Sequence, residues 1–268
     1  MTRIGIIGFG TAGQDIYKKI QSGAAGSCRT VAILVRDRKK YIDSIDDASL
    51  LTNSEEAFFR ESMDVVVEVA GHASVSKYGK RTLECGRDLV IVSVGALNEQ
   101  ELYDKLISAA RESGRRVYVP SAAVAGLDRI AAASQGQLDF VRLTTRKPLK
   151  AWRGTYAEKV VNLDEVTEPV VIYEGNARES SRLFPESVNV SAALSLAGVG
   201  FERTEVRVIA DPTINRNIHE ITAAGHFGSV RIEVENTPSP SNPKTGYIVA
   251  MSVCKVLKGI ADPLQIGI

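Results

Sequence analysis

A chain of 268 residues with 44% apolar and 24% charged side chains is long enough for one large or two modest domains with proper cores, and nothing in it suggests disorder. Its 33 Lys and Arg against 32 Asp and Glu leave a formal charge of +1, which excludes a global field for nucleic acid or an anionic membrane and favours a small ligand. Cys28, Cys85 and Cys254 are too scattered for a disulfide framework or a metal site, and no apolar stretch nears the length of a membrane span, so a cytoplasmic protein with reduced thiols and no metal is expected.

Arg3 to Gly13, RIGIIGFGTAG, is an apolar run that ends in Gly8, Gly10 and Gly13 and opens into the helical pattern of Gln14 to Ile20. A buried strand, a glycine turn and a helix N-terminus in that order form a pyrophosphate site for a dinucleotide, built from Gly8, Gly10, Thr11, Ala12 and Gly13. Thr30 to Val35 reads as a second strand, running into Arg36-Asp37-Arg38-Lys39-Lys40. At this place an NAD site carries a carboxylate and an NADP site an arginine. With Arg36 ahead of Asp37, the run reads either as a solvated loop or as tolerance of a 2′-phosphate, so the cofactor is NAD or NADP.

Ser54 to Arg60 predicts a short helix capped by Ser54, and Asp64 to Val69 a strand buried on both faces. It ends at Gly71-His72, which puts Ala70 and Gly71 beside the cofactor, with His72 as a local hydrogen-bonding or packing residue. Helix over Ala73 to Cys85, strand over Asp88 to Val94, helix over Asn98 to Arg111 and strand over Arg116 to Val119 follow. The fold class is α/β: a Rossmann-type doubly wound parallel sheet over residues 1–120.

From Pro120 the texture changes to the small residues Ser121 to Asp128, which either let another group approach the backbone or start a tightly packed helix. Strands over Phe140 to Thr145, Val170 to Glu174, Glu205 to Ala210, His219 to Ala223 and Ser229 to Glu235, with helices over Ala177 to Phe184 and Val190 to Ala197, predict an α+β substrate and dimerisation domain over 121–242. Its free sheet face suits a second copy in a homodimer. Thr237 to Pro243 reads as a linker, with Asn242 as N-cap and Pro243 opening a last helix. That helix, in 243–268, is expected to complete the first domain through an apolar stripe of Tyr247, Met251, Cys254 and Leu257. Arg146, Lys147, Lys150 and Arg153, around Trp152, either hold a dicarboxylate or are surface charge.

A proton-handling group is sought among His72, His219 and His226. His226 lies in a turn signature. His219 closes a polar stretch, Asp211 to His219, read as a loop in which Asp211, Asn215 and Asn217 could fix the imidazole tautomer.

At these residues the chain resembles the L-aspartate dehydrogenases. The resemblance runs through the glycine turn, EVAGH at Glu68 to His72, VSVGAL at Val92 to Leu97, TRKP at Thr145 to Pro148, Ala177 to Pro185, Asn189 to Gly198, IADP at Ile209 to Pro212, Asn217 to His219 and NPKT at Asn242 to Thr245. It implies reversible oxidative deamination of L-aspartate to oxaloacetate and ammonia through iminoaspartate, with His219 as acid/base and Ala123 and Asn189 touching the nicotinamide cofactor. Lys147 and Asn217 are the candidate substrate contacts. The family carries glycines where this chain has Ala122 and Ala125, methyl groups that could narrow the pocket. Two alternatives stay open: an imine reductase or dehydrogenase for another small amino acid, and a non-catalytic dinucleotide sensor.

Overall fold

The computed structural model describes residues 1–239 and 242–267, without the side chains at 186 and 242–245. The chain forms two compact units, Met1–Ala122 with Pro240–Ile268, and Ala123–Ser239.

In the first unit, β1 (Thr2–Ile7), β2 (Cys28–Leu34), β3 (Leu51–Thr52), β4 (Val65–Glu68), β5 (Asp88–Ile91) and β6 (Val117–Tyr118) form one parallel sheet in the order β3-β2-β1-β4-β5-β6. The order reverses at β1/β4, which opens a crevice at the carboxyl ends of those strands. β4 is buried at all four positions, as a strand covered on both faces must be. The helices are α1 (Thr11–Gln21), α2 (Glu55–Arg60), α3 (His72–Glu84) and α4 (Gln100–Ser113). The Ser54 hydroxyl caps α2 by accepting from Ala57 N at 3.2 Å.

The last helix, α8 (Ile248–Ala261), belongs to this unit and packs on α1, with Ala250, Val253, Cys254 and Leu257 joining Ile16, Tyr17 and Ile20 in the core. Two expectations about it are corrected. Asn242 and Pro243 lie in a strand, Asn242–Gly246, and the helix starts five residues later than predicted, with Tyr247 as N-cap. The buried stripe runs through Ala250, Val253, Cys254 and Leu257, so Cys254 and Leu257 lie on it as expected, while Tyr247, which precedes the helix, and Met251 are exposed. Of the expected linker, Pro238–Ser239 is a short strand, and residues 240 and 241 lie outside the described residues.

The second unit has a five-stranded mixed sheet in the order β11-β10-β7-β9-β8, from β7 (Leu138–Lys147), β8 (Val170–Asn176), β9 (Thr204–Ala210), β10 (Asn217–Gly225) and β11 (Gly228–Asn236). Strict alternation of burial along β9 separates its two faces. One face carries Val141, Leu143, Val206, Val208 and Ile221 under α5 (Leu127–Ala133), α6 (Ala177–Leu183) and α7 (Val188–Ala197). The other presents ion pairs, Arg142 with Glu205, Arg207 with Glu174 and Arg231 with Glu220. His226 and Phe227 form the two-residue turn between β10 and β11.

Among the described residues, no helix is long and apolar enough to cross a membrane.

Candidate active site

The glycine turn gives each glycine a separate task. Gly8 has φ +101°, and a Cβ there would stand 2.7 Å from the Ala70 Cβ, so the turn and the close approach both require glycine. A Cβ on Gly13 would collide with the Gly8 carbonyl, which sets how tightly α1 packs on the turn. Around Gly10 nothing lies within 4 Å of a Cβ position. Gly10 is also the N-cap of α1 and offers no side chain to it, which leaves the first-turn amides of Thr11, Ala12 and Gly13 for an incoming anion. These residues fit the pyrophosphate of a dinucleotide.

Arg36 stands exposed two residues past β2, on the side where the adenosine ribose of such a cofactor lies. Asp37 is committed elsewhere: its Oδ1 accepts from Lys39 N at 2.9 Å. Arg38 stays exposed and donates to the Ala48 carbonyl at 3.0 Å.

The turn after β4 is fixed by a side chain that the sequence reading passed over. Glu68 is 1% exposed, and its Oε1 accepts from Ala70 N at 2.7 Å, Gly71 N at 2.9 Å and Ser93 Oγ at 3.2 Å. Its Oε2 accepts from Ser93 N at 3.2 Å. A carboxylate inside a run of valines was the signal for it, since such a group is almost never buried without a task. Gly71, at φ +114°, is the N-cap of α3, so His72 opens that helix on the surface rather than ending the strand.

The second unit gathers the polar groups of proton chemistry on the helix-covered face of its sheet. His219 lies inside β10, not in a polar loop, and is 4% exposed. Its partner in register is Thr145 of β7, whose Oγ1 is 3.0 Å from His219 Nδ1. Asp211 does not orient the ring. It is fully buried at the end of β9, ion-paired with Arg146 and accepting from Thr213 N at 2.8 Å, so it ties down the chain that leads to β10. Asn217 lies two residues before His219 in β10 and shares its face.

Lys147, two residues after Thr145, is 6% exposed and on the same face as His219. Its Nζ donates to Ser187 Oγ at 2.7 Å and lies 4.7 Å from the centre of the Trp152 ring. Trp152 is fully buried, bonds back from Nε1 to the Lys147 carbonyl at 3.2 Å, and meets Phe184 edge to face. The four cations around Trp152 therefore part company: Arg146 pairs with Asp211, Arg153 pairs with Asp164, Lys150 is exposed, and Lys147 alone is buried beside the histidine. Burial, and behind it the charge of Lys147, pushes the His219 pKa down to about 4. The imidazole is neutral at physiological pH.

Of the remaining predicted contacts, Asn189 is the second residue of α7, with Ser187 as the N-cap, and is exposed. The Ala123 carbonyl accepts from Asn236 Nδ2 at 2.9 Å. Ala122 has φ +48°, the one non-glycine with positive φ among the described residues, and its amide donates to Ser252 Oγ of α8 at 2.9 Å.

Residues 8–120 match the family model described as homoserine dehydrogenase, NAD binding domain, and residues 128–260 the one described as aspartate dehydrogenase, C-terminal. L-aspartate dehydrogenases of Methanosarcina barkeri and Ralstonia pickettii are 40% and 38% identical, over 100% and 99% of this chain and the whole of theirs. An aspartate dehydrogenase from Thermotoga maritima, known from its crystal structure, shares the fold with a TM-score of 0.79 at 23% identity over 99% of both chains. The chain belongs to the L-aspartate dehydrogenase family.

Proposed function

We propose that the protein catalyses the reversible, NAD- or NADP-dependent oxidative deamination of L-aspartate to oxaloacetate and ammonia. The observation that carries this reading is the neutral His219, bonded through Nδ1 to Thr145 and set on one sheet face with the buried cation Lys147. Full-length identity of 34–40% to proteins named L-aspartate dehydrogenase supports the same substrate.

Bound on the glycine turn, the nicotinamide cofactor supplies the hydride acceptor. Lys147 holds a carboxylate of the dicarboxylic substrate, and Asn217 lends a polar contact on the same face. Loss of hydride from the α-carbon leaves iminoaspartate. His219, with Nδ1–H donating to Thr145 Oγ1, keeps the Nε2 lone pair for a proton. It takes one from water as the oxygen bonds to the imine carbon and returns it to the nitrogen of the resulting carbinolamine; the ring then takes the remaining hydroxyl proton as the C–N bond breaks, which leaves the ketone of oxaloacetate and releases ammonia. Ala123 and Asn189 contact the cofactor in this reading.

The protein acts as a homodimer, supported by the sheet face on which Arg142, Arg207 and Arg231 alternate with Glu205, Glu174 and Glu220, a surface able to complement itself. Sedimentation equilibrium tests this, and a monomer at micromolar concentration overturns it. Balanced charge and free thiols support a cytoplasmic site of action.

The test of the activity is steady-state oxidation of L-aspartate with each cofactor, against a panel of other small amino acids. Turnover on aspartate is expected, and silence with both cofactors overturns the reading. Cofactor binding without turnover on any amino acid is the outcome that a dinucleotide sensor gives.

A further inference from the structure

The adenosine half of a dinucleotide lies over β1 and β2, where Arg36 stands, so its nicotinamide half falls on the other side of the switch point, over the ends of β4 and β5. Glu68 is the last residue of β4, and Ser93 lies two residues beyond β5. The Glu68 carboxylate draws both turns together, through Ala70 and Gly71 on one side and the Ser93 amide and hydroxyl on the other. Ala70 is also the residue against which Gly8 packs, so the same carboxylate braces the pyrophosphate turn.

All of these donors are neutral. Among the described residues no cationic side chain pairs with Glu68, although it is 1% exposed. Three backbone amides divided over its two oxygens suit the ionised, acceptor-only form. Burial pushes its pKa up, and the amides and the Ser93 hydroxyl act against that rise. A buried carboxylate without a cation is costly, and that cost falls when a positive charge comes near.

We propose that Glu68 is a positioning residue whose buried carboxylate, bonded to the Ala70–Gly71 and Ser93 turns, makes the crevice prefer the oxidised, cationic nicotinamide ring over the reduced, neutral one. This rests on the reading of the glycine turn as a dinucleotide site. The two oxidation states differ by one positive charge on the ring, while adenosine, riboses and pyrophosphate are common to both. A fixed negative charge under the nicotinamide half therefore acts on their difference, whereas the shape of the two turns acts on both alike. By holding the oxidised form more tightly, Glu68 pulls the equilibrium of bound reactants toward hydride donation, the direction that makes aspartate.

The experiment compares the dissociation constants of NADH, from its fluorescence, and of NAD+, by competition, in the intact wild-type chain and in Glu68→Gln. The ratio Kd(NAD+)/Kd(NADH) is expected to rise about tenfold in the variant, since the charge is lost with little change of shape. A ratio that stays within twofold, with both constants weakened together, shows Glu68 to be a structural clamp only and overturns the proposal. Where Glu68→Gln does not fold, Ser93→Ala decides. It leaves the carboxylate in place and removes one donor to it, and is expected to shift the ratio at least about twofold, down where the less neutralised charge acts on the ring and up where the carboxylate takes a proton; a ratio that stays within twofold overturns the proposal. Failure of the wild-type protein to bind either cofactor overturns the dinucleotide reading itself, and this inference with it.

Discussion

Thr145 and His219 stand directly opposite each other on β7 and β10, with 3.0 Å between the threonine hydroxyl and Nδ1 of the ring. A strand pair holds both Cα atoms in place, so the imidazole is aimed by backbone register as well as by one hydrogen bond. Thr145→Val keeps the branched shape and removes the hydroxyl. We expect kcat to fall about tenfold with little change in cofactor affinity, because the ring loses the partner that sets its tautomer but not its position. His219→Ala should cost about 10²–10⁴-fold in kcat. Wild-type turnover in His219→Ala would remove this histidine from the chemistry.

The depressed pKa of His219 has a consequence for stability. Its folded value of about 4 lies below the ordinary 6.5, so between those values the unfolded chain binds more protons than the native one. Stability is then fully present above pH 6.5 and is lost as the pH falls toward 4, by about 3 kcal/mol in all for this group. Urea midpoints measured across pH 4–7 should show that slope in the wild-type protein. In His219→Asn the slope should shrink, and an unchanged slope would assign the loss to other groups.

Lys147 supplies part of that depression and, in the proposed reading, a charge for the substrate. Lys147→Met removes the ammonium and keeps most of the apolar stem against Trp152. The KM for L-aspartate is expected to rise at least tenfold, and the acidic limb of kcat/KM to move upward as His219 recovers part of its ordinary basicity. An aspartate KM that does not move rules Lys147 out as a carboxylate contact.

The first unit was legible because its signals are local. A glycine turn between a strand and a helix, β-branched runs and a serine cap all act within about ten residues, and the elements they predict follow one another as observed, except that the two-residue edge strand β3 is too short to carry a pattern and is missed. What was hidden depended on partners distant in the chain. Thr145 meets His219 only once β7 and β10 are paired, across 74 residues of sequence, so the sequence offers only the neighbours Asp211, Asn215 and Asn217 to fix the tautomer, and of these Asp211 serves Arg146 instead. By sequence Arg146, Lys147, Lys150 and Arg153 read alike, as substrate contacts or surface charge, and only the fold, by burying Lys147 beside Trp152, sets it apart from the other three. The start of α8 was misplaced for a different reason: Asn-Pro is a fair helix opening by composition, yet here the same pair sits in a strand.

We propose that Arg36 bears on the choice of cofactor. It stands exposed past the end of β2, and the neighbouring Asp37 carboxylate is occupied by the amide of Lys39. An arginine there meets a 2′-phosphate that NAD lacks. In Arg36→Ala the KM for NADP should rise about tenfold while that for NAD changes less than twofold. Equal changes for both cofactors would show that Arg36 does not read the phosphate.

Ala122 is held where glycine is at ease. At φ +48° its Cβ crowds the backbone, at a cost of about 1–2 kcal/mol, and the Ser252 hydroxyl of α8, accepting from its amide, helps to keep it there. Glycine would remove the crowding but give the unfolded chain more freedom, worth about 0.5–1 kcal/mol against folding. The two leave a net gain of about 0.5–1 kcal/mol for Ala122→Gly, or about 1–3 °C in Tm for a protein of this size. Ser252→Ala should act in the opposite direction by about 1 kcal/mol, since the amide loses its acceptor. Ala122 also adjoins Ala123, read here as a cofactor contact, so Ala122→Gly provides a second readout. If the methyl group narrows the site, the variant should lower the KM for the larger L-glutamate relative to L-aspartate, and an unchanged ratio would leave the alanine as a matter of backbone strain alone.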